Sequence, residues 1–159
     1  MVAALTPFAA ADADWLIDRH ATLYARDEGF DATFGALVRE IVLAFLADHD
    51  PLREGGWIAR DGARRLGSIF VVQEGPGVAK LRLFLLEPEA RGTGLAQAML
   101  EQAMGFARGA GYRHMRLWTH ESHRAAGRLY ARNGFAMTAT EARHSFGRDV
   151  VAQTWERAL

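Results

Sequence analysis

The apolar positions of this chain change period several times, and the changes mark out four helices and seven strands. Residues 13 to 28 read as a helix in which Leu16, His20, Leu23 and Asp27 share a face and Gly29 follows as a stop. Residues 32 to 47 carry Phe34, Leu37, Val38, Ile41, Val42 and Phe45 at helical spacing. Asp50 before Pro51 ends this second helix, because a residue preceding proline is pushed out of the helical region. The texture then becomes strand-like in 56–60, 65–73 and 78–87, with "RDGAR" and "EGPG" as turns, which predicts an antiparallel meander. Helical spacing returns over 94–109 at Leu95, Met99, Ala103, Phe106 and Ala110, and "AGY" closes that helix. Residues 113–120 form the next strand, and 122–132 a helix capped by Asn133 and Gly134. "FAMTATEARHSF" and "DVVAQTWERAL" finish the chain as two strands around Gly147. The Ala-rich opening segment, with Thr6 and Pro7 interrupting it, reads as an edge strand and a turn rather than a secretory leader.

The order β, α, α, β, β, β, α, β, α, β, β predicts an α/β fold built on a central mixed sheet, mostly antiparallel, with helices on both faces. The strand–helix–strand unit from 78 to 120 requires a parallel pair joined by a right-handed crossover. No repeat or low-complexity linker divides the chain, so residues 1–159 are expected to form a single domain.

Composition narrows the functional classes. Half of the residues are hydrophobic and 24% are charged, as in folded globular proteins. Formal net charge is zero, so no overall positive field draws in nucleic acid. With no cysteine, disulfides, Cys-ligated zinc and a cysteine nucleophile are excluded. No stretch approaches the roughly 18 apolar residues of a membrane span. A cytoplasmic location is the expectation.

Candidate chemistry centres on "EPEARGTGLAQAML", residues 87 to 100. A strand runs through this turn into a helix, whose N-terminus carries unpaired N–H groups and the positive end of the dipole. Gly92 and Gly94 allow the backbone to approach a ligand closely, and Arg91 adds a guanidinium, an arrangement suited to phosphate or pyrophosphate. It is not a P-loop, because no Gly-Lys-Ser/Thr follows, and it lacks the third glycine and acidic residue of a dinucleotide fingerprint. The alternative is a strand-to-helix turn that needs glycine only for its geometry.

A second motif follows about thirty residues later, "HRAAGRLYARNGF" over 123–135. Together the two resemble the GNAT family of acetyl-CoA-dependent N-acetyltransferases. The family's phosphate-binding pattern, Gln/Arg-x-x-Gly-x-Gly/Ala, stands here as Arg91, Gly94 and Ala96. Its later pattern, Asn-x-x-Ala-x-x-Leu-Tyr-x-x-x-Gly-Phe, is matched by Ala126, Leu129, Tyr130, Gly134 and Phe135, with His123 in place of Asn. The segments "LYARDEGFD", "AKLRLFLLEP" and "HSFGRDVVAQTWE" look like the acetyltransferase half of bacterial proteins that join a MarR-type DNA-binding domain to a GNAT domain. The DNA-binding half is not in this sequence.

The resemblance implies a GNAT fold whose parallel pair is splayed. Backbone groups of Phe84, Leu85 and Leu86 would contact the acetyl group and pantetheine arm, and one strand amide would polarise the thioester carbonyl. The N–H groups of Gly92, Thr93, Gly94, Leu95, Ala96 and Gln97 would hold the pyrophosphate, with Arg91 opening the loop. His123 would stand where Asn usually meets the pantetheine, although imidazole places its donor and acceptor differently. Tyr130 would touch the cofactor and donate a proton to the departing thiolate. The alternative for Tyr130 is a packed core tyrosine. For the general base the residues leave His120, Glu28, Glu87 or a water chain open. His120 and His123 form H-x-x-H without a third ligand, so no metal is expected. Trp15, Trp57, Trp118 and Trp155 read as core or interface, with Trp57 or Trp118 as candidates to border the acceptor pocket. The expected function is acetyl transfer from acetyl-CoA to a primary amine, on a small molecule before a protein. The rival readings are an acyl-CoA-binding sensor without turnover and a purely structural interaction domain. Homodimerisation, with the last strand as the pairing element, is expected by analogy.

Overall fold

The computed structural model describes residues 3–159. In chain order its elements are β1 (Ala4–Pro7), α1 (Ala13–Glu28), α2 (Ala32–Asp48), β2 (Gly55–Asp61), β3 (Arg64–Gly75), β4 (Val78–Leu86), α3 (Leu95–Gly109), β5 (His114–His120), α4 (Arg124–Arg132), β6 (Ala136–Ser145) and β7 (Arg148–Ala158). The seven strands form a mixed sheet in the order β1-β2-β3-β4-β5-β7-β6, in which β4 and β5 are parallel. This is the α/β fold expected from the order of elements. Short 3-10 turns at Ala10–Asp12 and Pro88–Ala90 are additional.

The chain divides into two compact units. Unit 1 takes in residues up to Ala9, His49–Arg116 and the last two residues; unit 2 takes in Ala10–Asp48 and Leu117–Arg157. Strand β5 contributes to both.

In unit 1, β1 to β4 form the meander, each strand antiparallel to the next. Its core lies on both faces of this sheet, one of them covered by α3. Ile69, Phe70, Val71, Met99, Leu100 and Ala103 are fully buried. Each large side chain there contributes about 1.5–3 kcal/mol by leaving water. Trp57 belongs to this core, edge-on to Phe106 at 5.1 Å.

In unit 2, α1 packs against α2, and Leu16, Leu23, Val38 and Val42 are buried. Gly29 ends α1 in the left-handed conformation with φ 70°, its N–H on the carbonyl of Ala25. Two members of these periodic sets are not buried. Asp27 is exposed and held by Arg26 at 3.0 Å, so the buried stripe stops at Leu23. Leu37 is 41% exposed, because one apolar stripe of α2 suffices to cover α1. Strands β6 and β7 form an antiparallel hairpin whose turn is Phe146–Gly147. Among the described residues no helix is long and apolar enough to cross a membrane.

Candidate active site

The glycine turn lies wholly in unit 1 and begins in the strand before it. Between β3 and β4 the register slips: Ser68 faces Leu85 while Phe70 faces Arg82, so Leu83 and Phe84 together oppose Ile69. This is a β-bulge, and Leu83 takes a φ of 50° to make it. A leucine in the left-handed region costs about 1–3 kcal/mol. The buried Ser68 holds it there, its hydroxyl donating to the Leu83 carbonyl at 2.7 Å. The bulge includes Phe84 and falls immediately before Leu85 and Leu86, which pair with Ser68 and Gly67 of β3.

Past Leu86 the chain turns through Pro88–Ala90 and enters the glycines. Thr93 donates its hydroxyl to the Ala90 carbonyl at 2.5 Å and stands 3.4 Å from the Leu95 nitrogen. Gly92 and Gly94 have φ of 74° and 85°, and nothing lies within 4 Å of where a Cβ would project from either. Left-handed backbone and open space therefore coincide at both positions. The first intrahelical bond of α3 runs from Ala98 N–H to the Gly94 carbonyl, so the amides of Leu95, Ala96 and Gln97 precede it. An anionic group fits such a cradle, and the pyrophosphate of a nucleotide cosubstrate meets its chemistry. Arg91 reaches back to the Leu86 carbonyl at 3.4 Å and so clasps the loop it opens.

Unit 2 assembles a different kind of group. His123 occupies the N-cap position of α4, one residue before the helix proper. Its Nε2 lies 2.8 Å from Glu28 Oε1, and its Nδ1 lies 3.4 Å from the Thr119 hydroxyl. Ser122 donates its hydroxyl to Glu28 Oε2 at 2.5 Å. Glu28 is the last residue of α1, and its side chain is only 11% exposed. His120, at the end of β5, stands edge-on to Phe30 at 5.3 Å and to His123 at 6.1 Å between ring centres. Burial pushes the His120 imidazole below its ordinary range; nearby His123 pushes the same way, and Glu28 opposes. Tyr130 is buried in α4, with Phe135 at 5.7 Å and Trp155 at 6.2 Å between ring centres. Burial pushes its phenol well up, and Tyr24 adds to the shift. Unit 2 thus holds a phenol kept protonated and an imidazole kept neutral, a proton donor and a proton acceptor at neutral pH.

The structure brings Glu28, His120 and His123 together, although 92 residues separate the first two in sequence. Glu87 lies instead at the end of β4 in unit 1, buried, with its N–H on the Leu66 carbonyl. Trp118 is 57% exposed on β5, and Trp57 is buried in the core of unit 1. Ser68, Ser122, Tyr24 and Phe146 escaped the sequence reading. Ser68 had a faint signal, a polar residue amid an apolar strand; the others had none. Among the described residues no group of three or more His, Cys, Asp or Glu side chains is placed to hold a metal ion.

Comparison with known proteins agrees with this geometry. Several solved acetyltransferases share the fold. A GNAT-family acetyltransferase from Streptococcus pneumoniae superposes with a TM-score of 0.79 at 16% identity, covering 99% of this chain and 100% of that one. A GCN5-related N-acetyltransferase from Kribbella flavida gives 0.78 at 20% identity, covering 99% and 98%. In sequence, a mycothiol acetyltransferase from Geodermatophilus obscurus is 32% identical over 93 residues, which is 55% of this chain and 30% of that protein. The chain therefore spans under a third of that relative's length. Residues 14–135 match the family described as the acetyltransferase (GNAT) family, a stretch that contains both the glycine turn and Tyr130, and the chain belongs to that family.

Proposed function

We propose that this protein is an N-acetyltransferase that moves the acetyl group of acetyl-CoA to a primary amine on a small molecule, with residues 1–159 acting as one catalytic domain. Acetyl transfer from acetyl-CoA is the chemistry of its family. The observation that carries the finer reading is the gathering of the Glu28 carboxylate and the His120 and His123 imidazoles in the unit that also holds Tyr130. An amine arrives as an ammonium and must lose a proton before its nitrogen can attack the thioester carbonyl. A neutral His120 can take that proton. As the carbon–sulfur bond breaks, the thiolate needs a proton, and the protonated phenol of Tyr130 can supply it.

The assigned roles follow the same division. The amides of residues 92 to 97 and Arg91 hold the pyrophosphate, and the strand from the bulge onward, at Phe84, Leu85 and Leu86, receives the pantetheine and acetyl group. A strand amide there would act as an oxyanion donor, whose loss typically costs about 2.7–4 kcal/mol. His123 takes the position where the family pattern has Asn. Its contact with Glu28 draws it toward the acceptor side of the chemistry as well.

The test is release of free thiol from acetyl-CoA in the presence of a panel of primary amines, beside calorimetric titration of acetyl-CoA. Thiol release with at least one amine supports the enzyme. Tight acetyl-CoA binding with no release across the panel points to a sensor without turnover.

A further inference from the structure

Around the Glu28–His123 pair, unit 2 gathers a continuous set of aromatic rings. Tyr24 stacks on Phe34 with 4.5 Å between ring centres and tilts against His123 at 5.1 Å. Phe146 completes the set at 4.9 Å from Phe30 and 5.0 Å from Phe34. Only Phe30 is fully buried; Tyr24, Phe34 and Phe146 keep part of their surface accessible in unit 2. Phe70 in unit 1, by contrast, is fully buried.

The ring at the hairpin turn is held under strain. Phe146 has a φ of 56°, a conformation side-chain-bearing residues rarely adopt. Its carbonyl accepts the Asp31 N–H at 2.9 Å, and the neighbouring Arg148 donates to the Glu28 carbonyl at 2.7 Å. The turn is thus clamped to the loop that follows α1. Strain kept by such over-determination concentrates at ligand clamps. Beside the rings, the Glu28 carboxylate has accepted one bond on each oxygen, from His123 and from Ser122. A carboxylate offers about four acceptor sites, so it retains capacity for further donors.

We propose that this group is the acceptor site and that it selects a primary ammonium carried on an aromatic or similarly broad apolar body. The body lies against Tyr24, Phe34 and Phe146, and the ammonium donates to Glu28, within reach of the imidazoles. An apolar wall with a few convergent polar groups and a shifted imidazole is the usual make-up of a small-molecule site. The ring faces add attraction for the cation. This inference rests on the N-acetyltransferase reading, which it narrows to one class of amine.

The experiment compares 2-phenylethylamine with ethanolamine, first as ligands by calorimetry in the presence of coenzyme A and then as acceptors by thiol release. Wild type, Phe34→Ala, Phe34→Leu and Glu28→Gln are measured, with acetyl-CoA affinity reporting that each variant is folded. Wild type is expected to bind 2-phenylethylamine about ten- to hundredfold more tightly than ethanolamine, the effect of burying one aromatic ring. Phe34→Ala should erase most of that preference, Phe34→Leu part of it, and Glu28→Gln should weaken both amines. Equal binding of the two amines, or a preference untouched by both Phe34 variants, overturns the proposal. Selective binding without thiol release leaves this site standing and removes the acetyltransferase reading. Thiol release without any preference does the reverse.

Discussion

Residues 91 to 97, which form the glycine turn, are one unbroken stretch of chain. Tyr24, Glu28, His120, His123 and Phe146 come from α1, the end of β5, the start of α4 and the β6–β7 turn. The turn presents backbone: left-handed glycines and helix-end amides, with the bulge at Leu83 in the strand before it. The acid and imidazole group presents side chains whose relative positions are set by packing. Binding a phosphate needs little more than amides with space before them, which a short segment can encode. Proton transfer needs titratable side chains brought within reach of one another, and here they come from distant segments. On this account, damage to the turn should cost affinity for acetyl-CoA, and damage to unit 2 should cost turnover.

The largest expected effect is that of Tyr130→Phe. The change keeps the ring and its packing on Trp155 and Phe135 but removes the proton. We expect kcat to fall by about ten- to ten-thousandfold, within and somewhat below the usual range for general acid catalysis. KM for acetyl-CoA should hold, because the lost interaction is made in the transition state. An unaltered kcat, measured where chemistry limits turnover, would return Tyr130 to the core.

Next in size is a pH effect on stability. Buried His20 bonds the Leu16 carbonyl through Nδ1 at 2.8 Å, its Nε2 has no partner among the described residues, and burial lowers its pKa from 6.5 to about 4. The unfolded chain therefore takes up a proton near pH 6.5 that the folded chain refuses. Stability from this residue is present above about pH 6.5 and is lost as pH falls toward 4, by about 3 kcal/mol in all. His20→Leu should flatten that stretch of the Tm-against-pH curve. If the slope between pH 6.5 and 4 is the same in both proteins, the buried imidazole is not its source.

Gly94→Val should weaken acetyl-CoA binding by about ten- to hundredfold. Valine is strained at a φ of 85° and brings a side chain into space that is open in the turn. Unchanged affinity would show that the turn needs glycine for its own geometry alone. Smallest are two helix-interior substitutions. A Cβ at Gly105 in α3 would meet nothing within 4 Å, and one at Gly127 in α4 would touch Trp155 at 3.5 Å, an ordinary contact. Gly105→Ala and Gly127→Ala should each stabilise by about 0.5–1 kcal/mol, read as a raised melting temperature. A loss at Gly127 alone would mean that α4 has no room for a methyl group beside Trp155.

The same contrast explains what could be read in the sequence. Periodicity and turn residues placed all four helices and the six strands after the first to within two residues, since both are local signals. Gly92, Gly94 and Tyr130 were legible as motif positions. The Glu28–His123 contact was not, because 95 residues separate the partners and nothing local to either reports the other. Phe146 looked like an ordinary hairpin residue; its strained φ depends on the hold that Asp31 and Arg148 exert on the turn. The bulge was hidden too, since Leu83 sits in an apolar run where any register looks acceptable.

The most direct test of the division between the two regions is the acetyl-CoA dissociation constant of Tyr130→Phe and Gly94→Val, measured beside wild type in one calorimetric series. The account predicts that Tyr130→Phe binds acetyl-CoA as wild type does while Gly94→Val binds it about ten- to hundredfold more weakly. Loss of affinity in Tyr130→Phe with none in Gly94→Val would contradict it.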